Sequence, residues 1–218
     1  MLQRSNRELE TIPVGVLGMI PLASCTELGN KVNDYLVKWR KESTNEHKGT
    51  LAFAGYQRDS FILSAQVPRF GSGEAKGIIN ESVRGYDLYL MVDVLNHSLT
   101  YSLCGYTNYM SPDNHYQDLK RVIAAIAGKA RRITVIMPML YEGRQHRRSA
   151  RESLDCALAL QELVAMGVTN ILTFDAHDAR VQNAIPLEGF ENVHPTYQMI
   201  KALIKNVPDI KLDRDNVM

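Results

Sequence analysis

Short, almost uninterrupted apolar runs alternate along this chain with stretches in which apolar residues recur every three or four positions. Residues 13–20 (PVGVLGMI) form the first run and stop at Pro21; residues 26–41 then place Leu28, Val32, Tyr35, Leu36 and Trp39 on one helical face. A polar loop is expected over 43–49, a strand over 61–67 (FILSAQV), an extended pair at Ile78-Ile79 and a strong strand over 86–95 (YDLYLMVDVL). Residues 96–110 are polar and tyrosine-rich without a clear period, which reads as a surface loop. A helix over 118–130 through Leu119, Val122, Ile123 and Ile126 feeds the apolar run 133–140 (ITVIMPML). Ser149-Ala150-Arg151-Glu152 reads as a capping box opening a helix whose face is Leu154, Ala157, Leu158, Leu160 and Val164, ending at Gly167. A strand at 171–174 and a helix at 196–205 repeat the rhythm. Strand and helix in alternation predict one α/β domain over 1–218, a doubly wound, mostly parallel sheet with helices on both faces.

Composition changes this picture little. A chain of 218 residues can bury roughly 70% of its unfolded surface. Its 25 Lys+Arg against 24 Asp+Glu leave a net charge of +1, so no overall field draws it to nucleic acid or to an acidic membrane. Cys25, Cys104 and Cys156 are far apart and form no CxxC pair, which speaks against a disulfide framework or a cysteine zinc site. The first residues lack the apolar core of a signal peptide and no run reaches the length of a membrane span, so a cytoplasmic location is the expectation.

Charge is concentrated at one place. Residues 141–151 (YEGRQHRRSAR) put Arg144, Arg147, Arg148 and Arg151 between a strand and a helix. A helix N-terminus already carries unpaired N–H groups and partial positive charge, so this crowding is self-repulsive until an anion arrives. Arginine forks suit phosphate oxygens, and a polyphosphate site is the economical reading; a solvated basic face or an RNA patch is the blander one. At the end of the next strand stands Phe174-Asp175-Ala176-His177-Asp178. Ligands of open α/β sheets bind beyond the carboxyl ends of strands, so both loops point at one crevice. Gly71, Gly73 and Gly77 do not fit GxGxxG, and Gly128-Lys129 lacks the rest of a Walker motif.

The order of Arg69-Phe70-Gly71-Ser72-Gly73-Glu74, Glu81-Ser82-Val83-Arg84-Gly85, Val135-Ile136-Met137-Pro138, Arg144-Gln145-His146-Arg147-Arg148 and Phe174-Asp175-Ala176-His177 resembles the amino-terminal half of the ribose-phosphate diphosphokinase family. The likeness covers about 14–212, with 96–110 as an apparent insertion. It implies a phosphoribosyltransferase-like fold and transfer of the diphosphoryl group of Mg-ATP to ribose 5-phosphate, with release of AMP. It also implies that Arg144 and Gln145, with Arg147 and Arg148 beside them, hold the nucleotide. Phe70, Ser72, Gly73 and Glu74 would approach the adenine from a neighbouring subunit of a homo-oligomer. Ser82, Arg84 and Arg151 would form a regulatory phosphate site, and His177 would help bind Mg2+.

The chain departs from the family where His146 follows the Arg-Gln pair, where Ser72 precedes Gly-Glu, and in the run after His177. The family's ribose 5-phosphate loop and catalytic loop do not occur here; the closing 211–218 (KLDRDNVM) read as a loop entering a further strand, so the catalytic residues are expected beyond Met218. A non-catalytic regulatory relative is the alternative reading.

Overall fold

A computed structural model of the chain describes residues 13–43 and 58–207; the expected polar loop at 43–49 and the closing 211–218 lie essentially outside them. The centre is a sheet of five strands in the order β1 (Val16–Pro21), β4 (Tyr86–Met91), β7 (Arg132–Ile136), β8 (Asn170–Phe174) and β9 (Gly189–Val193). Every neighbouring pair is parallel. Between β1 and β4 come α1 (Thr26–Ser43) and the short antiparallel pair β2 (Ala65–Gln66) and β3 (Ile78–Ile79). A two-stranded hairpin, β5 (Thr100–Leu103) and β6 (Tyr106–Tyr109), follows β4 and leads to α2 (Pro112–Ile126). Helix α3 (Asp155–Ala165) joins β7 to β8, and α4 (Thr196–Asn206) follows β9.

Alternation along the strands divides the core in two, as a sheet covered on both sides requires. Met19, Met91 and the partly buried Leu17, Tyr89 and Ile136 meet Leu28, Val32 and Leu36 of α1 on one face. Ile20, Leu88, Leu90, Ile133, Val135 and Ile171 meet Leu119, Val122, Ile123 and Ile126 of α2 and Leu160 and Leu163 of α3 on the other. After α1 the chain pairs Ile62 in parallel with Met19, and only then crosses β1 to enter β4. Winding therefore reverses between β1 and β4, and the doubly wound sheet with helices on both faces is what the structure shows.

Several boundaries differ from the sequence reading. The run at 61–67 supplies one isolated bridge and the two residues of β2, because Phe61 and Leu63 pack inward as core rather than lying along a long strand. Helix α2 starts at Pro112, earlier than expected, where the Ser111 hydroxyl accepts from the Asn114 N–H and proline occupies the first turn. The segment 96–110 is no loop: Cys104 (φ 50°) and Gly105 (φ 86°) make a tight two-residue turn, and the tyrosine-rich arms pair as β5 and β6. Ser149 does not cap α3; Glu152 accepts from the Ser149 N–H in a local turn, and the helix begins at Asp155. Its buried stripe is Cys156, Ala159, Leu160 and Leu163, one position out of phase with expectation, and Leu158 is exposed. Strand β9 gave no sequence signal, since its alternation of half-buried and exposed positions lacks an apolar run.

All three cysteines are free, and burial pushes the thiols of Cys25 and Cys156 up to about 11, where they are unreactive. Tight approach also marks Gly77, where an added Cβ would lie 2.3 Å from the Arg121 carbonyl of α2. Gly77→Ala is expected to destabilise by about 1–3 kcal/mol through forced separation of β3 from α2, and Leu160→Ala by about 2–5 kcal/mol through a core cavity. Thermal or denaturant unfolding measures both; an unchanged midpoint for Gly77→Ala contradicts the packing described.

Candidate active site

Strand β7 ends at Ile136 and the chain stays at the carboxyl edge of the sheet for 137–154 before α3 carries it back. Tyr141 anchors this loop: its ring stacks on Tyr116 of α2 with centroids 4.2 Å apart and planes 5° from parallel, and its hydroxyl donates to Asp113 at 2.7 Å. Glu142 then takes φ 54°, the left-handed region, which turns the chain so that Gln145 N–H bonds back to the Glu142 carbonyl. The Gln145 carbonyl accepts from the Cys156 N–H in the first turn of α3, tying the loop to that helix. Burial, with Asp155 and Asp113 nearby, raises the Glu142 carboxyl above its usual range.

Beyond this anchor the side chains open outward. Arg144, Gln145, Arg147, Arg148 and Arg151 are exposed, and none of the arginines forms an ion pair among the described residues. They lie along an irregular loop, not at a helix N-terminus, so the expected reinforcement by free helical N–H groups does not apply to them. Arg144, Gln145 and His177 line one cavity of about 220 Å³ with Val94 and Leu95 beyond β4 and Met139 and Leu140 beyond β7. Thus the structure brings together two loops far apart in sequence, at the strand ends where they were expected.

His146 makes the connection. Its Nδ1 lies 3.3 Å from Asp178 Oδ2, and its ring meets that of His177 edge-on with centroids 5.3 Å apart. Read from sequence only as a departure from the family, it joins the arginine loop to the turn after β8; no sequence signal connected it to Asp178. Arg180, beside Asp178 at 2.6 Å and bonded to it through side chain and backbone, holds that carboxyl well below the usual carboxylate range. Asp175, at φ 44°, accepts from or shares a proton with His194 at 2.8 Å. Both acids of the turn are therefore already paired within the chain.

Metal chemistry has less support. Among the described residues no group of three or more His, Cys, Asp or Glu side chains is placed to hold a metal ion. Glu142 and His177 line the cavity together, and two side chains are fewer than magnesium, which prefers oxygen, takes from an all-protein site. The residues present do not make a magnesium cage.

The other expected site residues stand elsewhere. Phe70 is 54% exposed on a turn closed by Phe70 N–H to the Glu74 carbonyl and Gly73 N–H to the Phe70 carbonyl. Glu74 accepts from the Ser72 hydroxyl at 2.9 Å. The hairpin braces this turn: Leu103 sits where a Cβ on Gly73 would be, Cys104 N–H donates to the Gly71 carbonyl, and Arg69 lies under the Tyr101 ring. Among the described residues no hydrogen bond or ion pair links the stretch 70–74 with the arginine loop of the same chain, and none of its residues lines the 220 Å³ cavity. Ser82 and Arg84 are exposed just before β4, at the amino end of the sheet, whereas Arg151 precedes α3 at the carboxyl end. One copy of the chain does not assemble that trio.

A parallel, doubly wound sheet with an arginine loop and a histidine turn at its carboxyl edge defines a domain of the α/β class whose open loops lie where such sheets take ligands. The comparisons are more particular. Residues 17–167 match the family described as the N-terminal domain of ribose phosphate pyrophosphokinase, and the chain belongs to that family. A ribose-phosphate pyrophosphokinase of Burkholderia pseudomallei is 32% identical over 180 residues, 76% of this chain and 52% of the relative. One from Buchnera aphidicola is 34% identical over 148 residues, covering 66% of this chain and 43% of the relative, and ribose-phosphate pyrophosphokinase B of Dictyostelium discoideum is 29% identical over 145. The chain spans about half the length of the curated relatives it matches. The crystal structure of phosphoribosylpyrophosphate synthetase from Mycobacterium smegmatis superposes with a TM-score of 0.59 over 88% of this chain and 53% of that one at 16% identity, a likeness of fold.

The lowered Asp178 pKa fixes the sign of its pH dependence. A carboxyl with a folded value below its unfolded one, ordinarily near ~3.9, stabilises the fold above that value and loses the contribution as pH falls through the folded value. Carboxyl carbon NMR is expected to show Asp178 titrating below the ordinary aspartate value, and to show it moving back up in Arg180→Ala. A midpoint at the ordinary value in the unaltered chain contradicts the geometry.

Proposed function

We propose that this chain is the ATP-binding half of a ribose-phosphate diphosphokinase, which transfers the diphosphoryl group of Mg-ATP to ribose 5-phosphate and releases AMP. The observation that carries the reading is the convergence of Arg144, Gln145 and His177 on one cavity at the carboxyl edge, in a chain whose relatives are pyrophosphokinases. Arg144 gives fixed, charge-assisted donors to phosphate oxygens, each worth roughly 1.5–3 kcal/mol, and Gln145 offers both a donor and an acceptor. Arg147 and Arg148, exposed on the same loop, add positive charge for the remaining phosphate oxygens. Were magnesium supplied as the nucleotide complex, His177 would be the imidazole of this cavity available to it.

In phosphoryl transfer, positioning and charge neutralisation carry most of the rate. The part played here is positioning: the Tyr116–Tyr141 stack and the His146–Asp178 pair fix the start and the middle of the nucleotide loop before ligand arrives. Phe70 presents a flat exposed ring and Glu74 a carboxylate, which suit the adenine of a neighbouring copy in a homo-oligomer. Ser82, Arg84 and Arg151, at opposite ends of one subunit, would meet as a regulatory phosphate site only between subunits. Ribose 5-phosphate and the catalytic groups belong to the second half of the family's chain.

The alternative is a non-catalytic member that keeps the fold and assembly surfaces. What favours it is that His146 and Ser72 engage Asp178 and Glu74 rather than facing the ligand.

The test is AMP formation from Mg-ATP that depends on ribose 5-phosphate, measured on the protein read from its gene past Met218. Turnover is expected, with Arg144→Ala lowering kcat/KM about 10- to 100-fold through loss of one or two charge-assisted hydrogen bonds. Turnover indifferent to Arg144→Ala contradicts the site; absence of turnover with nucleotide binding intact selects the non-catalytic relative.

A further inference from the structure

A cavity of about 520 Å³ among the described residues has no lining from the arginine loop. It lies beyond the carboxyl end of β1, where the winding of the sheet reverses, the place at which open α/β sheets take ligands. Its floor is Pro21, Leu22, Ala23, Ser24 and Thr26; its walls come from 65–69 and from α2; its roof is the hairpin, through Leu99, Thr100, Tyr101 and Met110. A volume of this size holds a small metabolite.

Two independent features of the lining are left unmet. Ala23 and Ser24 open the helical run that continues as α1, and their backbone N–H groups make no hydrogen bond among the described residues. Both residues belong to a three-residue 3-10 turn, Ala23–Cys25, that runs directly into α1, and they leave two backbone donors free on residues that line the cavity. His115 lines the same space and is 2% exposed. Its Nε2 lies 2.7 Å from the Asn96 carbonyl, which can only accept, so Nε2 carries the proton. In the neutral ring Nδ1 is an acceptor, and it makes no hydrogen bond among the described residues. The buried charges beside it are satisfied: Asp118 takes two bonds from Arg69 and one from Arg121. Leu22, Val67, Leu99, Met110 and Val122 supply apolar wall between these two polar points.

We propose that this hairpin-roofed cavity binds a small organic oxyanion with an apolar body. The anionic end sits on the Ala23 and Ser24 N–H groups, and a hydroxyl or amino group at the other end donates to His115 Nδ1. Two backbone donors, with Arg69, the arginine of the lining, already paired with Asp118, favour a carboxylate over a phosphate ester. Because the roof is the 96–110 segment, the site is a feature of this chain's own hairpin rather than of the arginine loop.

The test is amide and imidazole NMR of the 218-residue chain titrated with 4-hydroxyphenylacetate and, separately, with AMP. Saturable shifts at Ala23, Ser24 and the His115 ring are expected from the first, and saturation there by AMP alone would assign the oxyanion to a phosphate ester instead. Thr100→Trp, at an exposed roof position, is expected to plug the cavity and abolish the shifts; His115→Phe is expected to weaken binding about tenfold, as loss of one buried acceptor does. Arg144→Ala is expected to leave them unchanged, so this site and the nucleotide site fail or stand separately. No saturable shift from either probe, or shifts that persist unaltered in Thr100→Trp, would overturn the proposal.

Discussion

A sheet whose strands all run one way sends every carboxyl end to the same edge, and this constraint governs the rest of the molecule. Crossovers must return through helices, so α1 and the pair α2 and α3 cover opposite faces, and the strands between them become almost wholly apolar. What is left at the carboxyl edge is loop, free of packing duty and therefore able to hold chemistry. Arg144, Gln145, His146, His177 and Asp178 all occupy it, and so do the residues beneath the hairpin.

Loops of this length need anchors, and the chain supplies them with aromatic and charged pairs rather than with a helix cap. Tyr116 and Tyr141 stack across the start of the arginine loop; His146 and Asp178 join its middle to the next strand. Below the hairpin, Arg69 is held at once by Asp118 and the Tyr101 ring, so the Phe70 turn, the hairpin and α2 form one braced unit. Each pair crosses between elements distant in sequence. That makes local geometry at the edge a property of the whole fold.

How much could be read beforehand follows from the same distinction. Buried strands and the amphipathic α1 and α2 are written in the local pattern of apolar positions, and β1, β4, β7 and β8 were legible for that reason. The hairpin was not, because its arms alternate tyrosine with small polar residues, its contacts with Gly73 and Gly71 run through Leu103 and the Cys104 N–H from across the chain, and its turn signal is the unusual Cys104-Gly105. Strand β9 is visible only through its pairing with β8. At the site, motif order located Arg144, Gln145 and His177, while the role of His146 depends on a contact that no spacing encodes. The Ser149 to Glu152 capping signal was chemically sound but closes a turn in the loop, leaving α3 to start without a side-chain cap.

The central claim is that the carboxyl edge around Arg144 and His177 receives ATP. Amide NMR of the 218-residue chain during titration with Mg-ATP tests it most directly. Saturable shifts confined to 142–148 and 174–178, and lost in Arg144→Ala, are the predicted result; shifts absent there, or centred instead on Ser82 and Arg84 at the opposite edge, would contradict it.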